Sequence, residues 1–118
     1  MNVVLVGVGR GSRLMPLTTS QPKCFSTVAG NKAILADLPE RFDIGLGCVD
    51  CCSAEIDTPV TIAGRVREAL KYVAPERVTI HPDCGFAPGS AADIPIDEAY
   101  LKLRNEVLAS QILREEYA

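Results

Sequence analysis

The sequence predicts an α/β fold, with a small parallel sheet of three or four strands and helices packed on it. Three short apolar runs, 3–8, 42–50 and 77–80, carry the aliphatic and β-branched residues typical of buried parallel strands. From residue 42 onward the pattern alternates strand, helix, strand, helix, which favours parallel β/α units. We therefore expect strand 3–8 to join the other two strands in one sheet, with 24–30 as a candidate short strand.

Two helices complete the predicted fold. Thr58 is suited to be an N-cap and Pro59 to occupy the first helical position, and helical spacing of apolar residues continues until Pro75 ends the helix. A final helix is predicted over about 95–116. Its predicted apolar side consists of Tyr100, Leu101, Leu103, Val107, Leu108 and Ile112, with Lys102, Asn105 and Glu106 opposite.

Composition and charge narrow the possible functions. The chain has 118 residues, 47% hydrophobic and 23% charged, as expected of one globular domain. A net charge of −3 gives no electrostatic case for a nucleic-acid or anionic-membrane partner. No apolar run approaches the roughly 20 residues of a membrane span. Five irregularly spaced cysteines and a start without signal-peptide features predict reduced thiols and a cytoplasmic location.

The loop "GVGRGSRLMPLTTSQPK" (7–23) is the first motif that carries chemistry. It is neither a Walker A loop nor a complete dinucleotide-binding fingerprint. Gly9 and Gly11 nevertheless follow a buried strand, where backbone N–H groups can cradle phosphate. Arg13 and Lys23 add the cations that a triphosphate requires. We therefore predict that these four residues bind a nucleotide; a solvated loop is the alternative.

The register of this loop resembles the start of sugar-phosphate nucleotidyltransferases. Leu14, Pro16, Leu17, Thr18 and Pro22 stand in the family's spacing. The resemblance covers residues 1–38 and implies a nucleoside triphosphate held with Mg²⁺. The aspartates that bind Mg²⁺ in that family lie beyond the matched segment.

The rest of the chain resembles a different family. The stretches "DIGLGCVDCCSAEIDTP" and "AGRVREALKYVAPERVTIHPDCGF", followed by a long closing helix, are similar to the C-terminal end of cobalamin-independent methionine synthases. The resemblance covers 42–118 and implies the last two β/α units of a (β/α)8 barrel. In that family zinc, bound by His, Cys, Glu and a final Cys, activates a thiol for methyl transfer. The final Cys corresponds to Cys84, and the other ligands come from barrel strands that this chain lacks.

Structural interpretations stand beside these functional ones. Cys84 could equally be a small core residue. Cys48 and Cys51 form a CxxC with Cys52 adjacent, which permits a redox or zinc interpretation, although packing in the core is favoured. His81 is expected to be solvated or bonded to backbone. Glu55 and Asp57 precede the helix N-terminus, where negative charge is favourable, and are expected to cap it. Asp83 is expected to accept backbone N–H bonds.

Together these patterns predict one folded unit composed of two unrelated segments. They join near 36–42, as a natural fusion, an engineered chimera or a faulty gene model. The leading function is a truncated relative of the zinc-dependent methyltransferases, inactive alone and without catalytic residues of its own. Any activity would be transfer from 5-methyltetrahydrofolate to homocysteine rather than nucleotidyl transfer. The alternatives are a nucleotide-binding module and a non-enzymatic, self-associating protein. An exposed sheet edge further predicts a homo-oligomer, such as a dimer.

Overall fold

A computed structural model describes residues 3–7, 27–28, 32–51, 53–83, 86 and 94–118. It contains five strands and two helices, with short 3-10 turns over Ile34–Asp37 and Pro75–Arg77. In chain order these elements are β1 (Val3–Gly7), β2 (Thr27–Val28), β3 (Lys32–Ala33), β4 (Asp43–Val49), α1 (Pro59–Ala69), β5 (Val78–Pro82) and α2 (Ile96–Tyr117).

The main sheet has the strand order β1-β4-β5, and both pairings are parallel. Leu5 lies beside Gly45, and Leu46 lies beside Ile80. The predicted α/β fold with one small parallel sheet is therefore confirmed, including the pairing of the N-terminal strand with the later ones. β2 and β3 form a separate antiparallel ladder of two residue pairs.

The central strand β4 is almost completely buried, which is why its sequence is a continuous apolar run. Ile44, Leu46 and Cys48 belong to the main hydrophobic core, together with residues of α1 and α2. Helices cover parallel sheets, so a central strand has no solvent-facing positions to fill with polar residues. β5, in contrast, alternates between half-buried and exposed positions.

The start of α1 follows the predicted capping chemistry. The Thr58 hydroxyl oxygen accepts a hydrogen bond from the Thr61 backbone N–H at 3.2 Å, and Pro59 is the first helical residue. The prediction that the helix runs to Pro75 is wrong, because α1 ends at Ala69. A turn follows in which the Tyr72 N–H bonds to the Ala69 carbonyl, and Pro75, which lacks an N–H, begins a 3-10 turn.

β5 also differs from its predicted bounds, 77–80, since it runs from Val78 to Pro82 and includes His81. Arg77 instead fastens the start of the strand to β4. Its guanidinium donates to the Phe42 carbonyl at 2.7 and 3.0 Å and to the Pro39 carbonyl at 2.8 Å. These bonds hold the segment that leads into β4 against the start of β5.

The orientation of α2 contradicts the prediction. Its buried positions are Ala99, Lys102, Ala109 and Leu113, whereas Tyr100, Leu101, Leu103 and Val107 are exposed. Small residues on the inner side let the helix approach α1 closely, and the lysine finds acceptors there. None of the helices in the described residues has the length and hydropathy needed to cross a membrane.

Candidate functional site at the carboxyl ends of β4 and β5

The carboxyl ends of β4 and β5 meet at one edge of the sheet, because the strands are parallel and adjacent. β4 ends at Val49 and β5 at Pro82. The pairing continues one step further, where the Asp83 backbone N–H donates to the Val49 carbonyl at 2.9 Å. Loops at this edge of β/α proteins carry the functional groups, so the site is assembled from the two segments that follow.

Asp83 ties these two loops together. Its carboxylate oxygen Oδ1 accepts a hydrogen bond from the Cys51 backbone N–H at 3.0 Å, across 32 residues of sequence. The expectation that Asp83 accepts backbone N–H bonds is confirmed, although the donor lies in the neighbouring loop. A charged acceptor on a backbone N–H forms one of the stronger hydrogen bonds in proteins. The chain is thus anchored directly before Cys84.

Lys102 holds the loop after β4 from the other side. Its side chain is only 1% exposed, and its ammonium group donates to the carbonyls of Asp50 at 2.6 Å and Glu55 at 2.8 Å. A buried ammonium group is tolerated when such acceptors replace its water. One side chain therefore fixes both ends of the loop segment 50–55 against α2.

Arg65 and Asn105 continue this network toward α1. Arg65 forms a bidentate ion pair with the Asp57 carboxylate, at 2.6 and 3.1 Å, and donates to the Cys48 carbonyl at 2.9 Å. The Asn105 amide donates to the Asp57 carbonyl at 2.8 Å. The Asp57 carboxylate thus pairs with a side chain of α1, and Thr58 provides the N-cap. The expectation that Asp57 caps the helix is therefore wrong.

The described cysteines lie in the core, in agreement with the packing interpretation. Cys48 and Cys51 are buried, and neither forms a disulfide bond with another described residue. Burial raises the pKa of the Cys48 thiol to about 12, and the Glu106 carboxylate adds to the rise. The raised pKa keeps the Cys48 thiol protonated at neutral pH, and the thiolate is the form that acts as a nucleophile. Cys51 lies beyond the end of β4, in the loop that follows it.

His81 and Glu106 lie on the β5 side of the site. His81 is exposed, in agreement with the expected solvated side chain, and its Nε2 also lies 3.0 Å from the Thr79 hydroxyl. Burial raises the pKa of the Glu106 carboxyl, and the nearby His81 partly offsets this. Its oxygen Oε2 is buried and has no hydrogen-bond partner among the described residues.

The family model described as "Cobalamin-independent synthase, Catalytic domain" matches residues 26–111. This chain belongs to the cobalamin-independent synthase family. The match includes the loop that Asp83 and Lys102 hold, and it begins within the segment 1–38.

Two curated relatives of this synthase family give the scale of the match. The methionine synthase of Thermococcus kodakarensis is 37% identical over 76 residues, which are 64% of this chain and 21% of the relative. That of Sulfurisphaera tokodaii is 35% identical over 74 residues, 63% of this chain and 20% of the relative. The chain thus spans about a fifth of the length of these relatives.

A solved structure of a B12-independent methionine synthase from Shewanella sp. W3-18-1, in complex with selenomethionine, has the same fold. It superimposes with a TM-score of 0.69 over 98% of this chain and 27% of that chain, at 18% identity. The predicted relationship to part of a (β/α)8 barrel is therefore confirmed at the level of fold. The superposition also includes the segment that contains β1.

Several predicted site residues lie outside the described part of this synthase-family chain. They are the metal ligand Cys84, the nucleotide-binding residues Gly9, Gly11, Arg13 and Lys23, and the adjacent thiol Cys52. Their roles, and the nucleotidyltransferase-like character of 1–38, stay predictions. Within the described ranges, no group of three or more His, Cys, Asp or Glu side chains is arranged to hold a metal ion. That part of the chain therefore does not form a complete zinc site.

The sequence reasoning missed the residues that shape the loops of this family fold, Arg65, Lys102 and Asn105. Lys102 and Asn105 were assigned to the side of the final helix opposite its apolar residues. One signal could have identified Lys102: it stands in a stripe with Ala99, Glu106, Ala109 and Leu113, at the helical spacing of a buried face. A lysine among small residues indicates a long side chain that reaches past its own helix to distant acceptors.

Proposed function

We propose that this chain is a C-terminal piece of a cobalamin-independent methionine synthase barrel that supplies one zinc ligand, Cys84, and catalyses methyl transfer only together with the remaining barrel units. The observation that carries the proposal is the anchored loop edge within the family match. Asp83, which directly precedes Cys84 in the sequence, donates its N–H to the carbonyl at the end of β4 and accepts the Cys51 N–H with its carboxylate.

The donor chemistry of this edge supports one ligand but not a complete site. A Cys thiolate is a common zinc ligand, and a zinc site requires three or four protein ligands. Bound zinc would lower the pKa of a thiol substrate such as homocysteine, so that the thiolate becomes the methyl acceptor. The described residues hold the loops in place, and we assign them no step of the reaction.

The first test is the metal content of the purified chain. We expect well under one zinc per chain and no methyl transfer from 5-methyltetrahydrofolate to homocysteine above a control without enzyme. The physical reason is that a single Cys ligand cannot hold zinc against water and buffer. Stoichiometric zinc that is lost in Cys84→Ser would contradict the proposal of an incomplete site.

A graft supplies the missing units. Residues 42–118 would replace the matching C-terminal segment of the Thermococcus kodakarensis methionine synthase. We expect the graft to bind zinc and transfer methyl groups. The same graft with Cys84→Ser should lose zinc while its circular dichroism spectrum is unchanged, and Cys48→Ala serves as the matched thiol control. Retention of zinc in the Cys84→Ser graft would refute the assigned ligand.

A further inference from the structure

The outer face of α2 carries a stripe of mostly apolar residues, five of which are exposed large hydrophobic side chains. Its members are separated alternately by four and three residues, the spacing of a coiled-coil seam. They are Ile96, Tyr100, Leu103, Val107, Ser110, Arg114 and Tyr117. Ile96 is 84% exposed, Tyr100 66% and Val107 58%. The stripe extends for about 30 Å along the helix, at a rise of about 1.5 Å per residue.

The stripe also has the local shape that receives a partner helix. A hollow of about 330 Å³ is lined by Tyr100, Leu103, Arg104, Val107 and Leu108. The first four of these residues stand at positions i, i+3, i+4 and i+7. Four residues at this spacing form the hole into which a side chain of the facing helix inserts in knobs-into-holes packing.

A second depression lies along the other side of the stripe. This groove, of about 540 Å³, lies between the C-terminal half of α2 and β5. Val107, Ser110, Arg114 and Tyr117 form one wall, and Val78 and Ile80 belong to the other. The stripe is therefore a ridge between two depressions, which is the relief that a second ridge of the same kind can interlock with.

We propose that two copies of this chain associate through this stripe, with their α2 helices antiparallel and Val107 at the two-fold axis. Positions whose numbers sum to 213 or 214 then face each other. Val107 meets Val107, and Leu103 meets Ser110 of the second copy. Ile96 faces Tyr117 of the second copy, and Tyr100 faces Arg114 of the second copy. The two-fold axis generates each of these pairs twice. The stripe is thus complementary to itself, which favours a second copy over an unrelated partner.

Charge decides the orientation. A parallel pairing would place Arg114 against Arg114 of the second copy at one layer of the seam, where like charges repel. The antiparallel pairing places the guanidinium of Arg114 on the ring of Tyr100, a cation–π contact. Antiparallel helices additionally bring opposite ends of their dipoles together.

The test is the molar mass of the purified full chain by size-exclusion chromatography with light scattering, across the micromolar range. We expect a dimer. Val107→Glu places two carboxylates on the axis and should raise the dimer dissociation constant by more than ~10-fold, which corresponds to ~1.4 kcal/mol. Val60→Glu is the matched control, because Val60 lies on α1 and is 67% exposed; it should leave the dimer intact. A monomer mass for the unaltered chain, or a dimer that Val107→Glu does not weaken, would overturn the proposal.

A charge exchange tests the orientation separately. Tyr100→Lys alone should weaken the dimer, since it places a lysine against Arg114 of the second copy. Adding Arg114→Glu should restore association, because each lysine then faces a glutamate. In a parallel pairing the double variant would instead oppose lysine to lysine and glutamate to glutamate. A double variant that dissociates more readily than Tyr100→Lys would overturn the antiparallel arrangement. Unchanged circular dichroism spectra exclude unfolding as the cause.

Discussion

In a simple amphipathic helix the buried face is apolar and the exposed face is polar, but α2 buries a lysine and exposes large apolar side chains. The inner face is buried and includes Lys102, with the half-buried Asn105 and Glu106 beside it. The outer face is exposed and includes Tyr100 and Val107. The contrast shows that counting apolar side chains does not decide which face of this helix is buried. Acceptors on the neighbouring loops take part in that decision.

Energy terms of similar size explain this choice. Burying an aromatic or branched aliphatic side chain contributes about 1.5–3 kcal/mol. A buried polar group that loses its hydrogen-bond partner costs about 1–3 kcal/mol. With Lys102 inward, one ammonium group serves the carbonyls of Asp50 and Glu55, and Asn105 serves that of Asp57. Turning the helix would forfeit these bonds and would press large side chains against α1, where Ala99 and Ala109 now fit.

We expect the largest loss of stability when the ammonium group of Lys102 is removed from the inner face. Lys102→Met keeps an unbranched side chain of similar length but withdraws the donor from the carbonyls of Asp50 and Glu55. We expect the free energy of unfolding to fall by about 2–4 kcal/mol, measured by urea denaturation with circular dichroism detection. Lys71→Met is the matched control, because Lys71 only pairs with Glu68 at the surface and should change nothing measurable.

An unchanged denaturation midpoint for Lys102→Met would mean that the apolar methionine compensates for the lost hydrogen bonds. Such compensation is known for buried ionic groups that are replaced by apolar ones. The orientation of α2 would then depend on the close fit of its small inner residues alone, and the two faces would differ in shape rather than in hydrogen bonding.

The next effect concerns the anchor between the two loops, which does not involve α2. Asp83→Ala removes the acceptor of the Cys51 N–H, and we expect a loss of about 1–2 kcal/mol. Asp83→Asn retains an acceptor oxygen of the same shape and should lose less. Hydrogen exchange of the Cys51 amide provides a local measurement and should accelerate in Asp83→Ala. Equal stability of the two variants would show that the carboxylate does not join these loops.

Much of the fold could be predicted because its signals are local. The apolar runs around Ile44 and Ile80 predicted parallel strands, and Thr58 followed by Pro59 predicted the start of α1. These signals depend on backbone propensity and on burial by neighbouring helices, which a short window of sequence contains.

The orientation of α2 could not be predicted because its determinants are distant in sequence. Lys102 bonds carbonyls 47 and 52 residues away, and no pattern within the helix identifies them. The ion pair of Arg65 with Asp57 depends likewise on how the loop 50–57 folds back over α1. An apolar stripe at helical spacing favours burial in general, but a second chain can provide that burial as well as the first.

The smallest effect we expect distinguishes Glu106 from the other polar residues of the inner face. Its oxygen Oε2 is buried without a partner among the described residues, and burial raises the pKa of the carboxyl above its usual value of 4.5, with His81 opposing the rise. The folded chain therefore binds this proton more tightly than the unfolded chain, so the charged carboxylate destabilises the fold at neutral pH and stops doing so as pH falls.

Glu106→Gln should raise the free energy of unfolding at pH 7 by a few tenths of a kcal/mol, since the side chain is only half-buried. The advantage of the variant should shrink as pH falls through the raised pKa and vanish below about 4.5. Asn105→Asp is the opposite test on the same face, because it replaces a donor to the Asp57 carbonyl with a second acceptor and should destabilise at neutral pH. A stability difference between Glu106→Gln and the unaltered chain that is independent of pH would mean that the Glu106 carboxyl is hydrated in solution.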